Sequence, residues 1–216
     1  MTNLLFKVGR LFIISTAFFF LFSCSSQSSH TLIGAGAIKG GVYFNKYFIV
    51  TIKKPVNWYA IDMKNLGMLK TKKSHQHDKK DYNATFPEKV HLFSWFESKN
   101  NVQRVNGYNA NILGIAERIR LSSNVISSKD YLLSIKMLMN KSAVNYQISP
   151  GIQSVKLGAR DFSMLTVEAI IAGQKIKLQY YSTIYKKYAL SVIVSWQSKA
   201  QHRTIQKMLA GIKFSK

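Results

Sequence analysis

The chain has 216 residues, of which 31 are Lys or Arg and 9 are Asp or Glu, giving a net charge of +22. Its single cysteine, Cys24, excludes a disulfide within the chain. Such an excess of positive charge is typical of nucleic-acid-binding proteins inside a cell. Its interpretation therefore depends on whether this protein is located in the cytoplasm or exported.

Residues 1–23 predict a secretory signal peptide. Lys7 and Arg10 precede an apolar run over residues 11–22. A hydrocarbon core about 30 Å thick requires roughly 20 apolar residues, so this run is too short to span a membrane. A basic flank followed by about 7 to 15 apolar residues is typical of a signal peptide.

The residues around Cys24 resemble the lipobox of bacterial lipoprotein precursors, with Leu21 at position −3, Ser23 at −1 and Cys24 first in the mature chain. The resemblance implies a diacylglyceryl group on the sulfur and a membrane anchor of two or three acyl chains. The alternative is a plain signal peptide with an incidental cysteine. Because Ser25 is not an aspartate, the resemblance favours the outer membrane, facing the periplasm. Lipidation would leave no cysteine for catalysis or thiolate metal binding.

Without Lys7 and Arg10 the mature chain has 29 basic and 9 acidic residues, a net charge of +20. Outside the cytoplasm we expect no nucleic acid. The available polyanions are anionic lipid, lipopolysaccharide and cell-wall polymers, which a positive surface attracts. The alternative is that scattered lysines only keep the protein soluble. Residues 70–80 form the one dense basic cluster in the sequence.

Residues 24–41 are rich in Ser and Gly and predict a flexible tether of about 20–25 Å. Residues 42–216 show no second linker and no repeat, so they predict a single domain. In chain order, the predicted strands are 47–55, which ends at Pro55, then 89–97 and 111–121. Residues 127–141 predict a helix, because Ser127 and Asp130 have near capping-box spacing before an apolar stripe.

A hairpin follows in residues 162–185, and Gly173-Gln174 predicts its turn, with Ala172 opposite Lys175. Residues 188–196 predict a third antiparallel strand, and residues 201–214 a second helix with a stop at Gly211. Apolar residues alternate onto both faces of these strands, which means that both faces are covered. The predicted fold class is therefore α+β, an antiparallel sheet flanked by helices on both faces.

This order of elements resembles the PsbP-like family, which includes PsbP of photosystem II, a Ran-binding nuclear import factor and DcrB-like bacterial lipoproteins. Four segments carry the resemblance: residues 47–58, 111–119, 180–196 and 208–214. It implies a PsbP-like sandwich that acts as a non-enzymatic adaptor or assembly factor. It provides no catalytic motif to transfer to this chain.

Glu117 is the most informative candidate for a binding residue. It alternates with Leu113, Ile115 and Ile119 on an otherwise apolar strand face. A carboxylate there must find a partner or take up a proton, because isolated burial of charge costs several kcal/mol. One interpretation is a polar anchor in a ligand groove; the alternative is an ion pair or a position at the end of the strand.

Tyr181 and Tyr185 share the more polar strand face and are candidates for a partner surface, where tyrosine is favoured. His75 and His77 are weak candidates for metal ligands, because flanking lysines oppose a cation. The sequence predicts no cofactor, and catalytic signatures such as GxSxG and HExxH are missing from it.

These patterns predict a lipid-anchored envelope protein that binds another envelope protein without catalysis. Two alternatives stay open. One is a hydrolase or transferase acting on cell-wall or lipid substrates, in which Glu117 or Glu168 would meet a histidine. The other is electrostatic binding to anionic envelope polymers, which would weaken as salt rises.

Overall fold

Two antiparallel sheets and two helices form the domain in the computed structural model, which describes residues 34–61, 88–99, 107–120, 124–171 and 173–215. The predicted α+β class is confirmed. Within these ranges, every described strand pair is antiparallel. No helix in the same ranges has the length and apolar character needed to cross a membrane.

The smaller sheet has four short strands in the order β1-β2-β3-β12. They are β1 (Ala37–Lys39), β2 (Val42–Asn45), β3 (Val50–Lys53) and β12 (Lys213–Phe214). Strand β1 lies inside the range 24–41 that was predicted as tether. Gly40 and Gly41 both have positive φ, 56° and 75°, which suits the two-residue turn that joins β1 to β2.

The larger sheet has eight strands in the order β4-β5-β6-β11-β10-β9-β7, with β8 also paired to β9. Their bounds are β4 (Tyr59–Ala60), β5 (Lys89–Phe96), β6 (Asn111–Arg118), β7 (Asn145–Ile148), β8 (Gln153–Leu157), β9 (Arg160–Ile171), β10 (Gln174–Tyr185) and β11 (Tyr188–Trp196). The predicted strands 89–97, 111–121 and 188–196 correspond to β5, β6 and β11. The predicted strand 47–55 shortens to β3, preceded by a turn.

Both helices begin with a capping box. Ser127 accepts a hydrogen bond from the Asp130 backbone before α1 (Ser128–Asn140), as predicted. Ser198 does the same with Gln201 before α2 (Lys199–Ala210), and Gly211 caps the C-terminal end. The second predicted helix, 201–214, therefore starts two residues earlier and ends before β12, because the chain leaves the helix at Gly211 to pair with β3.

The two helices lie on opposite faces of the larger sheet, as predicted. On one face, α1 covers a small buried cluster of Leu132, Met139, Leu165 and Val167. On the other face, the smaller sheet and α2 enclose a larger cluster that contains Trp95, Tyr181 and Ile205. In β9, for example, neighbouring residues enter different clusters: Met164 joins the larger cluster and Leu165 the smaller one.

The hairpin between β9 and β10 pairs Ile171 with Gln174 and Ile170 with Lys175. The predicted pairing of Ala172 with Lys175 was thus wrong by two positions along one strand. Side chains alternate with a period of two, so this slip leaves every residue on its predicted face. Leu165, which the predicted pairing placed opposite Ser182, lies opposite Tyr180 on the same face.

A bulge at Leu92 in β5 changes the pairing from His91–Ile115 to Phe93–Gly114. The Phe93 ring then lies over the Gly114 backbone and stacks on Trp95 with 4.3 Å between ring centroids. A Cβ at Gly114 would come within 2.3 Å of Phe93 Cε1. This glycine is therefore required by close packing against the ring.

Candidate functional site

A groove lies between α1 and the larger sheet and encloses a cavity of about 310 Å³. Its apolar wall comes from Ile135, Leu138 and Met139 of the helix together with Ile115 and Ile193 of the sheet. Polar groups join them from both elements: Lys89, Glu117, Tyr131, Ser142, Tyr146, Tyr180 and Ser191. The groove is apolar with a few polar side chains, which is typical of ligand pockets.

Glu117 and Tyr131 meet inside this groove. Glu117 is half-buried and penultimate in β6, and the Tyr131 hydroxyl donates to its Oε2 at 3.1 Å. Burial, followed by the negative charge of Glu117, raises the pKa of Tyr131 above the ordinary value of a phenol. The carboxylate thus has a donor from the helix, and the phenol stays protonated at neutral pH.

The hydrogen bonding continues from Tyr131 into the sheet. Ser191 of β11 hydrogen-bonds to the Tyr131 hydroxyl. Ser191 is the cross-strand partner of Ser182 in β10, and their hydroxyl oxygens lie 3.0 Å apart. The polar side of the groove is therefore a connected line of four side chains held by one helix and three strands.

Charged residues surround the carboxylate end of the groove. Lys89 of β5 is the cross-strand neighbour of Glu117 and lines the same cavity. An adjoining cavity of about 300 Å³ shares Glu117 and Tyr131 and adds Arg118, Arg120 and Glu88. Arg120 Nη2 and Glu88 Oε1 form an exposed ion pair at 2.7 Å. The groove thus has an apolar part along α1 and a charged mouth at the end of β6.

The helix presents one apolar side chain to solvent at the rim of the groove. Leu138 lines both cavities and is 64% exposed. Met137 and Leu133 are also exposed on α1, but they are not among the described residues that line either cavity. Leu138 is therefore the exposed apolar residue of α1 that marks a candidate contact surface at the groove.

Tyr181, predicted to contribute to a partner surface, instead belongs to the larger core cluster and is only 4% exposed. Burial raises its pKa, and its hydroxyl donates to Gln179 Oε1 at 2.8 Å. Gln206 of α2 also hydrogen-bonds to it. Its strand face is more polar in sequence, but α2 covers that face.

Tyr185 lies on the same strand face and is half-buried. The guanidinium of Arg160 stacks over its ring at 4.1 Å and over the Phe214 ring at 4.7 Å. Lys186 Nζ lies 5.2 Å from the Tyr185 ring centroid. Tyr185 therefore joins β10 to β12 through Arg160, away from the residues that line the groove.

Three predicted residues, Cys24, His75 and His77, lie outside the described residues. Within the described ranges, no group of three or more His, Cys, Asp or Glu side chains is close enough to hold a metal ion. Glu117 is the one predicted binding residue that lines the groove. The sequence pattern placed Tyr131 only on the apolar stripe of a helix and gave no signal that its hydroxyl meets Glu117.

No protein-family model matches the chain, and no curated protein matches it. The solved structures that are similar to it at low identity include three proteins. Cyanobacterial PsbP (CyanoP) from Synechocystis sp. PCC 6803 is 8% identical, with 83% of this chain and 98% of that chain covered and a TM-score of 0.46. LpqN of Mycobacterium tuberculosis, described as involved in cell envelope biogenesis, is 7% identical, with 76% and 82% covered and a TM-score of 0.43.

The third is the Ran-binding protein Mog1p of Saccharomyces cerevisiae, which is 8% identical, with 82% of this chain and 95% of that chain covered and a TM-score of 0.42. One of the three is a PsbP, the family that the sequence segments resemble. At these identities and TM-scores, the likeness says nothing of a shared activity.

Proposed function

We propose that the protein is a lipid-anchored factor of the bacterial cell envelope that binds another envelope protein without catalysis. The groove between α1 and the larger sheet receives an apolar segment of that partner. The observation that carries this proposal is the position of Glu117, a hydrogen-bonded carboxylate at one end of an otherwise apolar groove. Cys24 carries the anchor, and the outer membrane facing the periplasm is the proposed location.

The apolar part of the groove supplies the affinity. Leu138 is exposed in the free protein, so covering it removes apolar surface from water. Complete burial of a leucine side chain is worth about 1.5–3 kcal/mol. A cavity of about 310 Å³ admits a few side chains of a partner, as expected for a site that binds a short segment.

The polar end of the groove supplies the orientation. Glu117 accepts one hydrogen bond from Tyr131, and a carboxylate has two oxygens with room for further donors. Lys89, directly across the strand pair, lines the same end of the groove and adds a second polar group there. A backbone N–H or a hydroxyl of the partner would complete this arrangement at the end of the bound segment.

A photoreactive residue at position 138, in the lipidated protein in living cells, tests the groove. We expect one crosslinked envelope protein, and we expect Glu117→Gln to reduce the yield severalfold. The matched control places the same residue at position 129, which is exposed on α1 but does not line the groove. Equal yields of the same partner from both positions, or no effect of Glu117→Gln, would contradict a specific groove.

The anchor has its own test. Radiolabelled palmitate should enter the wild-type protein and not Cys24→Ala. Incorporation that continues in Cys24→Ala would remove the anchor from the proposal and leave the groove to be judged by crosslinking.

A hydrolase or transferase is the second candidate, because His91 lies on the same sheet face as Glu117, opposite Ile115. Its Nε2 lies 2.8 Å from Ser94 Oγ. His91 is not among the described residues that line the groove. Turnover of a lipid ester or cell-wall substrate that is lost in both His91→Asn and Glu117→Gln would favour the enzyme over the binding factor.

A further inference from the structure

A third cavity, of about 390 Å³, lies where the loop after β3 meets the C-terminal end of α2. Lys53 and Lys54 line it from the loop side, and Lys207 lines it from the last turn of the helix. Its remaining described lining is mostly apolar or small: Pro55, Val56, Thr204, Met208 and Gly211. Three lysines thus surround an apolar floor, with no acidic side chain among these described lining residues.

The three lysines differ in how they are held. Lys54 Nζ donates to the carbonyl oxygens of Pro55, at 3.3 Å, and of Trp58. These contacts fix one positive charge at the cavity. Lys53 and Lys207 are exposed side chains on either side of it. Lys207 also interacts favourably with the partial negative charge at the C-terminal end of the helix. That interaction explains the position of Lys207 but not the presence of Lys53 and Lys54 at the same cavity.

The loop carries an apolar residue at its tip. Val56 is 76% exposed and directly follows Lys53, Lys54 and Pro55. The turn is completed by Asn57 at a φ of 63°, a conformation that asparagine tolerates better than most residues. An exposed apolar tip beside basic side chains matches the boundary between phosphate headgroups and acyl chains in a membrane.

We propose that this cavity binds the phosphate of an anionic lipid headgroup in a membrane surface. Lys53, Lys54 and Lys207 bind the phosphate, and Val56 enters the outer edge of the acyl region. The net charge of the chain draws it to any anionic surface, whereas this cavity provides one defined contact. The site lies on the α2 side of the larger sheet, so it is separate from the groove under α1.

Vesicle binding of the mature chain, residues 24–216 carrying Cys24→Ala, tests the proposal without acyl chains and without the apolar run of residues 11–22. The vesicles contain phosphatidylglycerol in phosphatidylcholine, and pure phosphatidylcholine vesicles give the baseline. Each lysine near an anionic surface is worth about 1 kcal/mol, so Lys53→Ala with Lys207→Ala should weaken anionic binding roughly 20- to 30-fold. Val56→Ser should weaken it severalfold at unchanged charge.

The matched control removes two exposed lysines of the α1 region, Lys129 and Lys141, and should weaken binding less than threefold. Equal losses in the two double variants would overturn the site and leave only diffuse charge attraction. Equal binding to neutral and anionic vesicles would also overturn it. If millimolar inorganic phosphate abolishes vesicle binding and Val56→Ser leaves vesicle binding unchanged, the cavity is a site for free phosphate and the membrane contact is overturned.

Discussion

The hydroxyl of Tyr131 donates to the carboxylate of Glu117 at 3.1 Å, and this contact joins α1 to the end of β6. It is formed by residues 14 positions apart in the chain and lies at the polar end of the groove. Removal of the carboxylate should therefore change the pKa of Tyr131, and removal of either group should weaken the contact between helix and sheet.

Glu117→Gln should lower the pKa of Tyr131, because the negative charge of Glu117 opposes formation of the phenolate. Burial is the larger cause, so the pKa should stay above that of an exposed tyrosine. Tyrosine-selective ¹³C NMR across alkaline pH would measure the change. Tyr180 is the internal control: burial raises its pKa to about 12, and the substitution should leave it there. An unchanged Tyr131 pKa would show that the contact is not formed in solution.

The raised tyrosine pKa values also predict alkaline destabilisation. Tyr131 and Tyr180 have higher pKa values in the folded state than in the unfolded chain. Their contribution to stability is complete below about pH 10 and is lost as pH rises through the folded-state values. Denaturant unfolding between pH 8 and 11.5 should show a falling midpoint. Tyr180→Phe should make that fall less steep, and an identical slope would contradict the assignment.

Gly114→Ala should destabilise the domain by about 1–3 kcal/mol, because the new Cβ would overlap the Phe93 ring. Gly151→Ala is the matched control, since a Cβ there meets no atom within 4 Å. Urea unfolding of the two variants measures the difference. The combination of Gly114→Ala with Phe93→Leu should lose less than the sum of the two single changes. Equal stability of the two glycine variants would contradict the close packing of the ring.

His202 predicts a loss of stability in mild acid. Its ring stacks on Trp196 at 4.4 Å between centroids, and its pKa is lowered by burial and then by Lys177. A histidine with a lowered pKa contributes fully above about pH 6.5, and that contribution is lost as pH falls through the folded-state value. The unfolding midpoint should therefore drop between pH 7.5 and 5, and less so in His202→Gln. Lys177→Ala should raise the pKa of His202 in a proton NMR titration.

Arg160→Leu should destabilise the domain by about 1–2 kcal/mol, because the guanidinium lies between the rings of Tyr185 and Phe214. Arg203→Leu is the control: this arginine is exposed on α2, and its loss should change stability by less than about 0.5 kcal/mol. Thermal unfolding compares them. Similar melting temperatures for the two variants would show that the stacked arginine adds no stability.

Local signals in the sequence predicted the elements whose partners are close in the chain. Ser127 and Asp130 marked the start of α1 because a capping box is complete within four residues. The predicted alternation of apolar residues in the hairpin put side chains on the correct faces despite the wrong pairing, because the slip was by two residues: Leu165 and Tyr180 share one face. The sequence thus predicted the strand face of each side chain. The register of the two strands depended on the turn and was not predicted.

The sequence did not predict which distant elements pack over a given strand face. Tyr181 was assigned to a surface because alternation gives the face of a strand and not what lies over it. The strands β1 and β12 that complete the smaller sheet have only three and two residues, too few for a periodic pattern. In the third cavity, Lys207 lies about 150 residues after Lys53 and Lys54, and nothing in the sequence around these lysines indicates that they come together.

The division of the core into two clusters has a consequence for the motion of α1. Leu132, Met139, Leu165 and Val167 form a cluster that shares no buried residue with the larger one. We therefore expect α1 to open locally without disrupting the larger cluster, so that its amides exchange with deuterium well before those of β6 and β11. An occupant of the groove would slow this opening, so exchange in a single helix would report occupancy before the occupant is identified.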